Sequence, residues 1–237
     1  MRSREGWLAV MMALIAGYVD AIGFTRLFDV FPANQSGNAV LLGVAIGDPS
    51  WHTGWRPGLS MVTFVFGVAL GFTLGARLAE SRRAPVLLAI EGGLLVVFAA
   101  WAGNVTHDVA PIGGAREVFL LTVSSIAMGV ETDVVRRVAG VPVYTTFQTG
   151  TIARLAETGA EEVEHALGVR GVPAPPSGGR RVLAILGAVI CGYIAGSAIG
   201  SAIVSGWGHA LWVPAIVCVG LVFVTARPSR PPVSPSA

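Results

Sequence analysis

The sequence predicts an all-helical membrane protein: six transmembrane helices as two inverted three-helix repeats, each with a broken or re-entrant half-helix segment. Three observations carry this. Of the 237 residues, 53% are apolar and 13% charged, and the mean hydropathy is +0.69, far from the balance of soluble domains. Six stretches approach the roughly 20 apolar residues that cross a hydrocarbon core about 30 Å thick. The sequence also repeats itself. A shift of 113 positions lays Phe31 to Gly47, FPANQSGNAVLLGVAIG, on Tyr144 to Ala160, YTTFQTGTIARLAETGA. Gln35 then falls on Gln148, Ser36 on Thr149, Gly37 on Gly150, Leu42 on Leu155 and, upstream, Asp20 on Asp133.

The same composition excludes other classes. A net charge of +2, carried by dispersed arginines, gives no basic patch for nucleic acid, so no nucleic-acid partner is expected. Cys191 and Cys218 lie in apolar runs without a CxxC spacing and read as small core residues, not a disulfide or zinc site. His52, His107, His165 and His209 fall in loops or at span edges, and no HExxH, GxSxG or GxxxxGK[ST] motif occurs. No cofactor, metal site or enzymatic activity is expected.

Taken in order, the expected spans are Trp7 to Phe24, Leu59 to Leu78, Pro85 to Trp101, Val118 to Val135, Val182 to Val204 and Ala210 to Thr225. The first follows Arg2 and Arg4 like a secretory leader, but runs on as GYVDAIGF without a small-x-small cleavage site and reads as a retained helix. The first repeat covers residues 1–105 with its re-entrant segment at 31–47. The second covers 115–226 with its segment at 144–160, and 227–237 reads as a disordered tail. With both segments turning back, thirteen arginines fall on the N-terminal side and three, Arg26, Arg56 and Arg116, on the other. With both crossing, the division is ten against six. The positive-inside rule therefore favours six spans and cytoplasmic termini. Trp7 is expected near inner span ends, and Trp51, Trp55, Trp101, Trp207 and Trp212 near outer ones.

An odd number of spans per repeat turns the second copy upside down relative to the first, so the two segments enter from opposite sides and meet inside the membrane. Asn38 to Gly47 suits a helix of about 15 Å, half the bilayer, and Thr149 to Glu157 is similar. Ser36 or Asn38, and Thr149, are residue types that cap helix N-termini. Gly67, Gly71 and Gly75, and again Gly192, Gly196 and Gly200, each line one helix face, which is expected to pack against the broken segments. Glu157 to Arg181, with Glu161, Glu162 and Glu164 followed by GVPAPPSGGRR, reads as a flexible connection.

Candidate site residues follow from the cost of polarity in lipid. Asp20 and Asp133 are carboxylates within spans and carry a coupling ion or proton, or else sit at interfaces paired with Arg26, Arg136 or Arg137. Glu131 and the deeper Glu91 join them as coupling candidates; Glu91 either relays protons or hydrogen-bonds a neighbour. Asn34, Gln35, Ser36, Gly37, Asn38, Thr145, Thr146, Gln148, Thr149, Gly150 and Thr151 supply donors and acceptors for a solute, or else cap and cross-link broken helices. Free amides at half-helix N-termini suit anions and the aspartates suit a cation or proton, and a small polar or zwitterionic solute uses both.

GYVDAIGFTRLFDVFPANQSGNAVLLG, with AMGVETDVVRR and VPVYTTFQTGTIARLA in the second half, resembles the YoaK-type family of bacterial membrane proteins, a domain of unknown function, over roughly Gly6 to Thr225. The resemblance implies a multi-span protein of the bacterial inner membrane and points towards transport, with no named substrate. The chain departs from that pattern at Gln35-Ser36, where Met-Thr is commoner, and at Glu131-Thr132-Asp133, where Gln-Asn is usual. Those carboxylates point to a different ligand or coupling ion. The function expected is secondary transport of an unidentified small polar solute between the two broken segments, with the lipid bilayer as partner and no oligomeric state implied. The alternatives are a non-transporting module, such as a channel-like pore or partner-binding scaffold, and an intramembrane enzyme acting on a lipid.

Overall fold

Glycine faces decide which helices meet. The computed structural model describes residues 2–48, 51–103, 114–135, 137–138, 141–142, 145–146, 148–168, 179–204 and 209–226, and all statements below concern these. The helices are α1 Arg2–Ile22, α2 Gln35–Gly47, α3 Trp55–Arg77, α4 Glu80–Ala102, α5 Gly114–Glu131, α6 Gln148–Ala166, α7 Gly179–Val204 and α8 Trp212–Ala226. A π-helical turn, Gly23–Leu27, prolongs α1, and two-residue strands β1 Arg137–Val138 and β2 Val141–Pro142 pair antiparallel.

The closest packing joins α1 to α7, α3 to α5 and α4 to α8. A side chain at Gly192 would meet the Val10 carbonyl at 3.0 Å, one at Gly200 the Tyr18 carbonyl at 2.8 Å, and one at Gly196 would overlap the Leu14 carbonyl. The contacts climb both helices in the same order, so α1 and α7 run parallel. On α3, Gly67 lies on the Ile126 backbone and Gly71 on Val130 and Asp133, so α3 and α5 are parallel too. The glycine ladders thus pack on the first helix of the other half of the chain and not, as expected, on the broken segments. In lipid, where apolar side chains gain nothing by leaving the solvent, such close backbone approach is a main source of helix association.

Polar contacts fix the remaining directions. Arg4 of α1 donates to the Val224 carbonyl near the end of α8, and Tyr18 to the Ala210 carbonyl before its start, at 2.7 Å. Those two helices are therefore antiparallel. Arg116 at the start of α5 donates to the Trp101 and Ala102 carbonyls at the end of α4, at 3.0 and 2.5 Å. Arg56 at the start of α3 reaches Glu117 of α5 at 2.6 Å and Asp29, just beyond α1, at 3.3 Å. One end of the bundle therefore gathers the ends of α1 and α4 and the starts of α3, α5 and α8.

Each of the six expected spans coincides with a helix. Four segments, Arg4–Leu27, Trp55–Arg77, Glu80–Ala102 and Gly179–Val204, are long and apolar enough to cross a membrane by length and composition. Helix α8 is apolar but has 15 residues, and α5 has 18, Arg116, Glu117 and Glu131 among them. Val62, Val65, Phe66 and Phe72 of α3 and Ile194 of α7 are exposed, an apolar outer surface suited to lipid. Trp7, Trp55 and Trp101 are exposed near helix ends, while Trp212 is half-buried.

Helix α6 corrects the expected half-helix of Thr149 to Glu157: it continues through Glu161, Glu162 and Glu164 to Ala166. The acidic stretch expected as a flexible connection is thus helical, with Glu157, Glu161 and Glu164 on the polar face of an amphipathic helix. Glu162 lies against Gly179, at the first residue of α7, where the free amides of a helix start favour an acid. Tyr144, Phe147, Arg136, His107, Trp207, the remainder of that connection (169–178) and the tail 227–237 lie outside the described residues.

Candidate functional site

The first break forms where α1 runs out at the π-helical turn, and the chain folds back through Phe28 to Asn34. Two local features permit this reversal. Asp29 adopts a left-handed conformation, φ 57°, and a side chain at Gly23 would strike the Pro32 ring at 2.6 Å. The returning chain is pinned by Asp20, whose Oδ1 accepts from the Ala33 amide at 2.6 Å and whose Oδ2 accepts from the Tyr193 hydroxyl of α7 at 2.6 Å.

Helix α2 starts at that depth. Its cap is Asn34, not Ser36 or Asn38: Asn34 Oδ1 accepts from the Gly37 amide at 3.2 Å and from Ser36 Oγ at 2.8 Å. Asn38 is fully buried and clamps the reversal, accepting from the Phe31 amide at 2.9 Å and donating to the Phe31 carbonyl at 2.6 Å. Its amide also donates to Ser60 Oγ of α3 at 3.0 Å, and Ser60 in turn meets Ser125 of α5 at 2.9 Å. Over 13 residues, about 20 Å at 1.5 Å each, α2 then runs back along the first turns of α3, Leu42 lying beside Gly58.

The second break follows Glu131, the last residue of α5. Residues 132–134 turn, the β1–β2 pair intervenes, and α6 begins at Gln148. Thr145 Oγ1 donates to Glu131 Oε1 at 2.7 Å, and Thr132 and Thr146 meet at 3.2 Å. Gln148 Nε2 donates to the Thr145 carbonyl at 2.7 Å, as Gln35 Nε2 does to the Pro32 carbonyl at 2.9 Å. This bond recurs at the 113-residue offset of the sequence match.

Of the four acids singled out, three come together and one does not. Glu91 of α4 is fully buried, accepts from the Cys218 thiol of α8 at 3.3 Å and lies beside Glu131. Asp20 lies close enough to Glu131 to interact electrostatically, and Tyr193 faces both. Asp133, the repeat-mate of Asp20, is instead held by Arg83, at 3.6 Å to its carboxylate and 3.2 Å to its carbonyl. Two buried carboxylates side by side repel in a medium of low dielectric, so Glu91 and Glu131 are a costly pair if both are ionised.

Most of the polar residues expected to meet a solute are engaged internally. Asn38, Thr145, Thr146 and Thr151 are buried; Asn34, Gln35, Gly37, Gln148 and Gly150 are half-buried; Ser36 and Thr149 are exposed. Gln148 Oε1 has no partner. Among the described residues the principal contacts of α2 are with α3 and those of α6 with α7, and Asp20 of the first break interacts electrostatically with Glu131 of the second. Sequence reasoning missed Tyr193, Ser60 and Ser125. A tyrosine within the small-residue face CGYIAG was the one legible signal, because a buried phenol needs a partner.

A groove of ≈ 270 Å³ at the opposite end, between the starts of α1 and α7, is lined by Trp7, Val10, Arg181 and Ile185 and is remote from the acids.

The comparisons agree with the geometry at family level. Residues 8–224 match the family described as "Protein of unknown function (DUF1275)". Over 154 residues the chain is 34% identical to "UPF0700 transmembrane protein YoaK" of Bacillus subtilis (strain 168). That match covers 63% of this chain and 65% of the relative's length. No solved structure matches. Apolar helices of membrane-crossing length and a family match along nearly the whole chain give one conclusion: the chain belongs to the DUF1275 family and is a YoaK-like helical transmembrane protein.

Proposed function

We propose that the chain is a secondary transporter of a small polar solute in the bacterial inner membrane, with both termini cytoplasmic, and not an enzyme. Six crossing helices would form two inverted three-helix repeats, with α2 and α6 as re-entrant half-helices. The parallel pairs α1–α7 and α3–α5 support this, because they give the two halves of the chain opposite senses. So does the tight α3–α4 connection at Leu78 and Ala79, which reverses the chain.

One observation carries the reading: both helix breaks bring an acid, Asp20 and Glu131, to the same interior region. Discontinuous helices leave amides and carbonyls unpaired inside the membrane, tolerable only where protein or a lined cavity receives them. Transporters with inverted repeats bind substrate and coupling ion at such places, and expose them alternately by rocking one unit against the other. Ser36, Thr149 and Gln148 Oε1 are the groups with bonding capacity left for a solute, and Asp20 and Glu131 are the groups that sense whether the breaks are closed.

Uptake into proteoliposomes tests this with labelled amino acids, sugars and small carboxylates, taken as separate probes, under an imposed pH or sodium gradient. Gradient-dependent uptake of at least one class, reduced at least tenfold in Asp20→Asn and Glu131→Gln, is the expected result. Uptake unaltered in both variants would remove the acids from the mechanism. No uptake of any class by protein of native melting behaviour would overturn the transport reading.

A further inference from the structure

We infer that Glu91 and Glu131 hold one proton between them, which makes the ion coupled at this site H⁺. The inference rests on the transport reading for what that proton drives, and on the side-chain arrangement alone for its presence.

Glu91 reaches the interior from the middle of α4 and Glu131 from the end of α5; they are 0% and 1% exposed and lie near enough for one hydrogen to bridge them. An ionised carboxyl group only accepts hydrogen bonds, so a bond between two of them exists only when one carries the hydrogen. The surroundings add a second, independent observation. Each glutamate has one oxygen served by a neutral donor, Cys218 Sγ to Glu91 Oε1 at 3.3 Å and Thr145 Oγ1 to Glu131 Oε1 at 2.7 Å. The Oε2 atoms of both are buried with no partner. A hydrogen between the two groups supplies what they lack.

The groups facing the pair are α1 with Asp20, α7 with Tyr193 and α8 with Cys218, besides Thr145 of the second break. None is cationic. The arginines of the described ion pairs, Arg56, Arg83 and Arg154, serve Asp29, Glu117, Asp133 and Glu157. When the second break opens, Thr145 leaves Glu131. The O–H bond of the pair then breaks heterolytically, the proton passing to water or to the carboxylate of Asp20, and the pair gains one negative charge.

Infrared spectroscopy of the purified chain, in H₂O and in D₂O, tests the inference without knowledge of any solute. Wild type should show a protonated-carboxyl C=O stretch that shifts down in D₂O. Glu91→Gln and Glu131→Gln should each lose it, because the glutamine amide can donate to the remaining carboxylate without any added proton. Asp20→Asn should keep it. Melting and elution profiles establish that each variant is folded, and either glutamine variant suffices alone. A wild type without the band, a band unaltered in both glutamine variants, or a band lost only in Asp20→Asn overturns the inference. The band together with an absence of proteoliposome uptake would retire the transport reading and leave the proton pair standing. Uptake without the band would do the reverse.

Discussion

A methyl group placed at three glycines should sort them by what each faces. At Gly196 the new Cβ would overlap the Leu14 carbonyl, with the Leu14 carbonyl carbon and Cα at 2.8 and 3.0 Å. All are backbone atoms that no rotamer change can withdraw, so α1 and α7 must part. Overpacking of this kind costs about 1–3 kcal/mol, against roughly 1 kcal/mol gained when alanine replaces glycine in a helix, for a net loss of up to about 2 kcal/mol. At Gly192 the contacts are the Val10 carbonyl at 3.0 Å and its Cγ1 at 3.2 Å, which needs only a small adjustment, and the two effects should nearly cancel. Gly93 is exposed with nothing within 4 Å, so Gly93→Ala should stabilise by up to about 1 kcal/mol. The assay is thermal unmasking of Cys218, fully buried at the α4–α8 contact, by a fluorogenic thiol dye in a background with the exposed Cys191 replaced by serine. The expected order of midpoints is Gly93→Ala highest, Gly192→Ala near wild type and Gly196→Ala lowest. A Gly196→Ala protein that melts with or above Gly93→Ala would refute the α1–α7 seam.

Two further predictions concern the polar contacts. Tyr193→Phe removes the donor to Asp20 Oδ2 at 2.6 Å and should cost about 1–3 kcal/mol; in an Asp20→Asn background it should cost measurably less, a coupling of about 0.5–3 kcal/mol, whereas equal losses in both backgrounds would show that the two side chains do not interact. Arg56→Gln leaves Glu117, with a 4% exposed side chain, without its 2.6 Å partner. Breaking a buried pair from one side costs about 3–5 kcal/mol, less here because the Arg56 side chain is 26% exposed. Adding Glu117→Gln should recover most of the loss, and a thermally neutral Arg56→Gln would count against the bridge between α3 and α5.

Helix positions were legible because lipid imposes a length and a composition, which four of the helices meet. The breaks were legible because two polar motifs recurred in a chain otherwise apolar. Partner choice was not. A four-residue glycine spacing says that something approaches closely but not what, and the ladders proved to receive α1 and α5. Helix caps were misplaced for a local reason: Ser36, Asn38 and Thr149 are all suitable types, yet Asn34 alone stands before the first turn of α2 with its side chain at the Gly37 amide. Helix α6 runs longer than expected because its glutamates, which suggest a loop, are taken up by the helix: Glu157, Glu161 and Glu164 on one face and Glu162 at the start of α7. The acids were found but their grouping was not. The 113-residue match pairs Asp20 with Asp133, whereas in the interior Asp20 lies near Glu131, because Asp133, two residues on in the turn after α5, faces Arg83 instead.

That mismatch bears on how such a fold would work. The helix pairing is close to symmetric, α1 with α7 as α5 with α3, and α2 with α3 as α6 with α7. The acids break the symmetry. Glu91 sits on α4, which packs extensively on α5, while its counterpart α8 makes only slight contact with α1 and presents Cys218 in place of a carboxyl. The first break is therefore held by one acid on a backbone amide and a phenol, the second by a pair of acids. In a symmetric fold, two inverted halves that exchange conformations reach end states of equal energy and give the protein no preference between them. With a carboxyl pair at the α4–α5 contact and none at the α8–α1 contact, two such end states would bind protons unequally, and pH itself would be the quantity that selects between them.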